Sequence, residues 1–197
     1  KYLMTGNGAG ANALFEHELN DFKGVISGAG IVDYVPSDPK RGFYGGGRLT
    51  ARGFDTPISY GLNGLSPGSP RWGAGYKKAL REEANHKMNI SCFVTQLPLE
   101  TNRVDLDPHH RDRWGVPLPR VTFDFHQNER RLQKFMASVG EKIMRATGAN
   151  KVWTEEKGRP NRWAGGTRMG TDPKNSVVND FCQTHDIPNL FIVGSSV

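Results

Sequence analysis

The sequence predicts an α+β fold in which an antiparallel sheet carries helices on one face. Three observations support this. Two short segments, Arg103-Val-Asp-Leu-Asp107 and Arg120-Val-Thr-Phe-Asp-Phe125, alternate apolar and polar residues, the period of a half-buried strand. The turn-rich stretch between them, through Gly115-Val-Pro-Leu-Pro119, suits neighbours in an antiparallel ladder. One longer segment, near 129–147, repeats apolar residues at helical spacing.

From the first residue onward, 5–70 is rich in Gly, Pro, Asn and Ser, which predicts short strands and long loops. Residues 71–88 read as a helix, because Trp72, Tyr76, Ala79-Leu80 and Glu83-Ala84 fall near a 3.6 period. Ile90–Gln96 is β-rich and is expected to be a strand. In Arg103–Asp107, Val104 and Leu106 share a face, and Pro108 is expected to stop the strand. Asn128 is the expected N-cap of the next helix. That helix places Leu132, Phe135-Met136, Val139 and Ile143 on one inward stripe, and Gly148 suits the position just past its end. Residues 149–165 are expected to be loop with a short apolar piece, Val152-Trp153. Leu190–Val193 reads as a buried strand ending on Gly194-Ser195-Ser196, and small residues where such a strand ends commonly seat a cofactor.

Composition bounds the function. The 197 residues hold one domain or two, with 36% hydrophobic residues and 24 glycines. No run approaches the ~18 apolar residues of a membrane span. Net charge is +6, but bases mix with acids, as in Arg111-Asp-Arg113, and no aromatic-interleaved basic tract points to nucleic acid. Two distant cysteines, Cys92 and Cys182, make neither a disulfide framework nor a zinc pattern. Asp107, His109, His110 and Asp112 are the one metal-like cluster, in a polar loop where solvated side chains are the usual outcome, and no metal is expected. Gly6-Asn-Gly8-Ala-Gly10 lacks the preceding apolar strand that a dinucleotide loop needs. Arg168 is expected to pair with a carboxylate, Asp172 or a substrate acid. The chain opens on Lys, without a recognisable signal, and a periplasmic or a cytoplasmic setting both remain open.

The C-terminal motifs are the most specific part of the chain. They are Gly165-Gly-Thr-Arg-Met-Gly170, Asp172-Pro173, Ser176-Val-Val178, Pro188-Asn-Leu190 and Val193-Gly-Ser195, preceded by Leu97-Pro98, Asn102–Pro108, Asp112–Pro117 and Arg120–Phe123. This ordered set resembles the C-terminal half of the glucose–methanol–choline (GMC) oxidoreductases, in the form most like bacterial gluconate and sugar dehydrogenase flavoproteins.

The resemblance implies FAD as cofactor and hydride transfer from the CH–OH group of a sugar, polyol or sugar acid. It implies partners in a small alcohol or sugar substrate, in the remainder of the flavoprotein, and in a cytochrome or quinone acceptor. It divides the chain into a loop- and strand-rich segment (1–89), a substrate-binding sheet and helix (90–160), and the C-terminal piece of an FAD-binding α/β domain (161–197), truncated. Gly194, Ser195, Gly165, Gly166 and Thr167 are the cofactor contacts it implies. With no convincing phosphate loop, the 197-residue chain alone is expected to be inactive and to bind FAD weakly or not at all.

One position departs from the pattern. The family's histidine, the natural base for an alcohol proton, stands four residues before the threonine, which here is Trp163; a one-residue shift gives Arg162. The catalytic residue is therefore unassigned. Three readings stay open: a true replacement in an altered or inactive homologue, a base from elsewhere, or an incomplete sequence. The ordinary role for Trp163 is an aromatic packed over the glycine turn. A non-catalytic binding module is the alternative function.

Overall fold

The computed structural model describes residues 1–25, 27–53, 56–156 and 161–197. It is mixed α/β with antiparallel sheets and few helices, as the sequence predicts. The chain divides into two compact units. One comprises Lys1–Asn7, Gln96–His126 and Pro160–Val197, and the other Gly8–Thr95 and Gln127–Arg159. This division follows sheet membership.

The larger unit is built on a five-stranded sheet, made of β2 (Gly8–Leu14), β3 (Ser27–Ile31), β4 (Gly47–Arg52), β5 (Lys87–Val94) and β8 (Lys151–Glu155), in the order β3-β4-β5-β2-β8. Every pairing is antiparallel. Helix α3 (Gln127–Ala146) covers one face. Strand periodicity sends Ala11, Ala13, Leu49, Ile90 and Cys92 toward it, where they form the core with Leu132, Met136, Val139 and Met144. Leu132 is fully buried, while Phe135 and Ile143 pack at the margin of the same cluster, so the predicted stripe faces inward. Gly140 sets the closeness of helix to sheet: a Cβ there would lie 3.1 Å from the Ala11 Cβ. Gly148, at φ 87, ends the helix as expected, with Ala149 N donating to Met144 O.

The second predicted helix is α2 (Gly73–Glu83), which follows a single short turn, α1 (Pro57–Ser59). Its inward groups are Tyr76, whose hydroxyl donates to Gly61 O, and Glu83. The Glu83 carboxylate accepts from Tyr60 Oη, Ser66 N, Ser66 Oγ and Ser69 Oγ at 2.6–3.1 Å. Lys151 Nζ donates to Ser66 Oγ and Pro67 O, which ties this layer to β8.

In the smaller unit, β1 (Met4–Gly6) pairs with β9 (Asn161–Ala164), and β6 (Arg103–Arg111) pairs with β7 (Pro117–Thr122). Val104 faces Val121 across the hairpin, as the alternation requires. Arg103 and Arg120 both bond to Asp105, and the Arg120 guanidinium, then that of Arg103, holds this carboxyl far below its ordinary range.

Several expectations change. Pro108 ends regular pairing at Leu106–Pro119 but not the strand, which continues through a bulge to Arg111; a bulge leaves a proline no ladder bond to break. The partner strand begins earlier, at Pro117, and Phe123 and Phe125 fall outside it. Asn128 is not the N-cap: it lies inside the first turn, and its amide instead bonds Tyr44 N and O. The stretch 149–165 holds β8 and β9 rather than only loop, while 157–160 lies outside the described residues. Val152-Trp153 sits in β8, a strand too short to show a period. Leu190–Val193 is not a buried strand. It makes one isolated bridge, Gln183 to Phe191, and Val193 is 80% exposed. Among the described residues of its unit no ladder runs beside it, so an apolar run alone does not produce burial.

Candidate functional site

The smaller unit brings together the two segments that the sequence singles out. Ala164 is the end of β9 and pairs with Met4. The chain then turns through Gly165 and Gly166, at φ 69 and 105. Gly165 N donates to Ser195 O and Thr167 N to Ser196 O, both at 2.8 Å. Thr167 Oγ1 donates to Ser196 Oγ at 2.8 Å, and Ser195 Oγ donates to Trp163 O at 3.1 Å. Four hydrogen bonds thus lock the glycine turn to the Gly194–Ser196 segment.

The glycines have different reasons. At Gly165 a Cβ would sit 2.4 Å from Tyr2 O, so close approach forbids a side chain. At Gly166 and Gly194, the latter at φ 136, an added Cβ would meet nothing within 4 Å. Their backbone conformation excludes side chains and leaves open space beside the main chain. Among the described residues, neither N–H makes a hydrogen bond.

Trp163 is half exposed at 46%. Its ring meets Phe123 edge to face, with centroids 5.4 Å apart, and Phe123 meets Phe125 in the same way at 5.1 Å. Its ring partner is thus an aromatic from the segment after β7, where the expected role had it packed over the glycine turn. Arg162 holds the left-handed region at φ 51, which is uncommon for a residue with a side chain. His185 is committed elsewhere, with Nε2 2.9 Å from Ser176 Oγ and 3.1 Å from Gly170 O.

Arg168 does not pair with Asp172. Its guanidinium lies over the Tyr2 ring, 4.5 Å from the centroid, and its Nε donates to Asn175 O. Asp172 accepts from Lys174 N and the Asn175 amide, and these bonds lower its pKa. The polar loop is thus self-contained. A cavity of about 220 Å³ lies between Arg168, Tyr2, Gly166 and Lys174. The metal-like cluster is also turn chemistry. Asp107 accepts from His109 N, His110 N and His110 Nδ1, and these bonds pull its pKa down to about 2. Asp112 accepts from Trp114 N and Val116 N. No group of three or more potential metal ligands occurs among the described residues.

Sequence reasoning did not assign a role to Ser196 or to Tyr2. Ser196 sits one residue past the recognised Gly-Ser, and only the geometry shows that it anchors Thr167. Tyr2 lies in Lys1-Tyr-Leu-Met4, which resembles the family's segment before the substrate domain but carries no site signal; its left-handed backbone, φ 64, presents its carbonyl against Gly165 and its ring under Arg168.

Residues 98–197 match the family model described as GMC oxidoreductase, and the chain belongs to the GMC oxidoreductase family. It is 32% identical to the gluconate 2-dehydrogenase flavoprotein of Pantoea cypripedii, over 93% of this chain and 32% of that protein. It is 36% identical to the 2-methyl-1,2-propanediol dehydrogenase of Mycolicibacterium austroafricanum, over 94% of this chain and 34% of that one. Identity to the fructose dehydrogenase large subunit of Gluconobacter japonicus is 32%, over 67% and 24%. The chain spans about a third of the length of the first two relatives. Family and relatives imply FAD, and the open backbone at Gly166 and Gly194 fits a planar group approaching closely.

Proposed function

We propose that this chain is the C-terminal portion of an FAD-dependent oxidoreductase that oxidises a CH–OH group of a sugar, polyol or sugar acid. The observation that carries the reading is the locking of the 164–167 turn to the 194–196 segment, which puts two open glycine positions on one rigid backbone support. Gly165, Gly166, Thr167, Gly194 and Ser195 would hold the cofactor through main-chain atoms. Bound FAD supplies the hydride acceptor. Residues 90–160 carry the substrate-side strands and helix, and 161–197 the cofactor-side piece. Electrons would leave to a quinone or a cytochrome. No described helix is long and apolar enough to cross a membrane.

Trp163 holds the position where the resemblance places the base, and an indole has no basic nitrogen to accept the alcohol proton. This favours a second reading, a non-catalytic homologue that binds the cofactor or a partner without turnover. One experiment separates the two. The full-length protein is purified, its visible flavin absorption is recorded, and sugars, polyols and sugar acids are added without oxygen. Bleaching of the flavin supports catalysis, while a retained but unbleached flavin supports the second reading. Absence of flavin after reconstitution with FAD would overturn the first reading and leave a partner-binding module.

A further inference from the structure

One cavity of the smaller unit has a charged lining that its own residues do not neutralise. It holds about 220 Å³ and is bounded by Lys1, Tyr2, Glu100, Gly166, Arg168 and Lys174, all within that unit. Main-chain bonds build its wall. Val177 N donates to Arg168 O and Gly170 N to Val178 O, so the chain entering the polar loop is bonded to the chain leaving it. Asp172 turns the loop by accepting from Lys174 N and the Asn175 amide, which fixes the main chain at Lys174. The Arg168 guanidinium is held over the Tyr2 ring, 4.5 Å from its centroid, with Nε donating to Asn175 O.

Charge in this lining does not cancel. Lys1 and Glu100 form an ion pair and neutralise each other. Arg168 and Lys174 remain. Among the described residues, the terminal guanidinium nitrogens of Arg168 and the Lys174 ammonium make no hydrogen bond or ion pair, and the Gly166 N–H is also without an acceptor. The neutral polar groups of the wall are already spent: Asn175 on Arg168 and Asp172, and Ser176 on Asp172 O and His185. What stays free is cationic and exposed, so a ligand reaches it directly from solvent. A cleft lined by one sign of charge concentrates its field on an incoming counterion.

We propose that Arg168 and Lys174 form a binding site in this cavity for the oxyanion group of a small organic anion, a carboxylate or a phosphate ester. The site requires neither flavin nor turnover, so it stands apart from the functional reading above. The guanidinium fork matches two oxygens of such a group, and the ammonium adds a point charge. Tyr2 and Asn175 already hold the Arg168 side chain, so less rotamer freedom is lost on binding. The volume is several times the ~30 Å³ that a water occupies in the liquid, which leaves room for carbon atoms behind the anion.

The test is calorimetric titration of the purified full-length protein in a phosphate-free, low-salt buffer. The probes are a six-carbon aldonate, the neutral alditol of the same chain, and that alditol's phosphate ester. At least one anion is expected to bind about tenfold or more tightly than the alditol, and the tighter of the two identifies the group as carboxylate or phosphate. R168Q should weaken that anion about 10-fold, and R168K, which keeps the charge but loses the fork, should fall between. K174Q breaks no bond of the protein's own and should weaken it about 2–5-fold, which keeps the test decisive even if R168Q disturbs the loop. K77Q removes one charge from the exposed face of α2 in the other unit and should change nothing. Equal affinity for the alditol and both anions would overturn the proposal. So would an anion affinity that survives both R168Q and K174Q, or one that K77Q lowers as much as K174Q does, since net charge alone would then attract the anion.

Discussion

Replacing Trp163 with histidine puts a base where the family pattern places one. The structural cost is bounded by what the indole does. It is 46% exposed and its main partner is the edge-to-face contact with Phe123. Such a contact is worth about 0.5–1.5 kcal/mol beyond area burial, a small fraction of the ~5–15 kcal/mol of a typical domain. Histidine keeps a ring for part of that contact, and the Trp163 carbonyl that anchors Ser195 Oγ is unaffected. The variant should therefore fold. General-base catalysis typically contributes about 10²–10⁴-fold. Single-turnover flavin reduction by an alcohol substrate, followed without oxygen by stopped flow, should accelerate within that range. The new base is active when neutral, so the gain should be largest above the ordinary imidazole pKa of about 6.5 and fade below it. Thermal unfolding of both proteins checks integrity. A folded, flavin-loaded variant with an unchanged rate and pH profile would refute the positional argument.

Three further outcomes follow from the larger unit. Leu132→Ala, at a fully buried site, should cost about 2–5 kcal/mol, and Ile143→Ala at the core margin should cost less; urea unfolding that ranks them in reverse would contradict the packing. Burial alone would raise the Glu83 pKa, but the hydrogen bonds from Ser69, Ser66 and Tyr60 outweigh it and hold the carboxyl below its ordinary value. Its stabilisation is thus present above the unfolded carboxylate pKa and lost as pH falls through the lowered one, so Glu83→Gln should flatten the acid limb of a melting-temperature profile. Burial pushes the Cys92 thiol up to about 12, and it should resist thiol reagents at neutral pH until denaturant is added; rapid native labelling of Cys92, located by peptide mapping, would show that the core opens there.

The fold was legible where side chains differ in polarity along an element. The α3 stripe and the pairing of Val104 with Val121 follow from period alone. Strand β2, Gly8–Leu14, shows no such contrast: most of its residues are glycine or alanine. Only the assembled sheet shows why. It lies between β5 and β8 under α3, where Ala11 meets Gly140 and a larger side chain would push the helix away. Leu190–Val193 failed in the opposite direction, because hydrophobicity signals a preference for burial but cannot supply the neighbour.

The site divides along a similar line. Motif spacing located the glycine turn and Gly194-Ser195, since both need backbone conformations that few residues adopt. It could not show that they bond to each other, because that depends on the placement of β9 beside β1 rather than on local sequence. Charged residues misled most. Asp107, Asp112 and Asp172 each precede main-chain N–H groups by two to four residues, and each spends a carboxylate oxygen on them. A carboxylate so engaged is a turn builder, and a neighbouring histidine or arginine gains no ligand or partner from it. Arg168, freed from Asp172, falls back on Tyr2. Arg48 and Arg52 are brought over one ring, that of Phe93, by a sheet register invisible in the sequence.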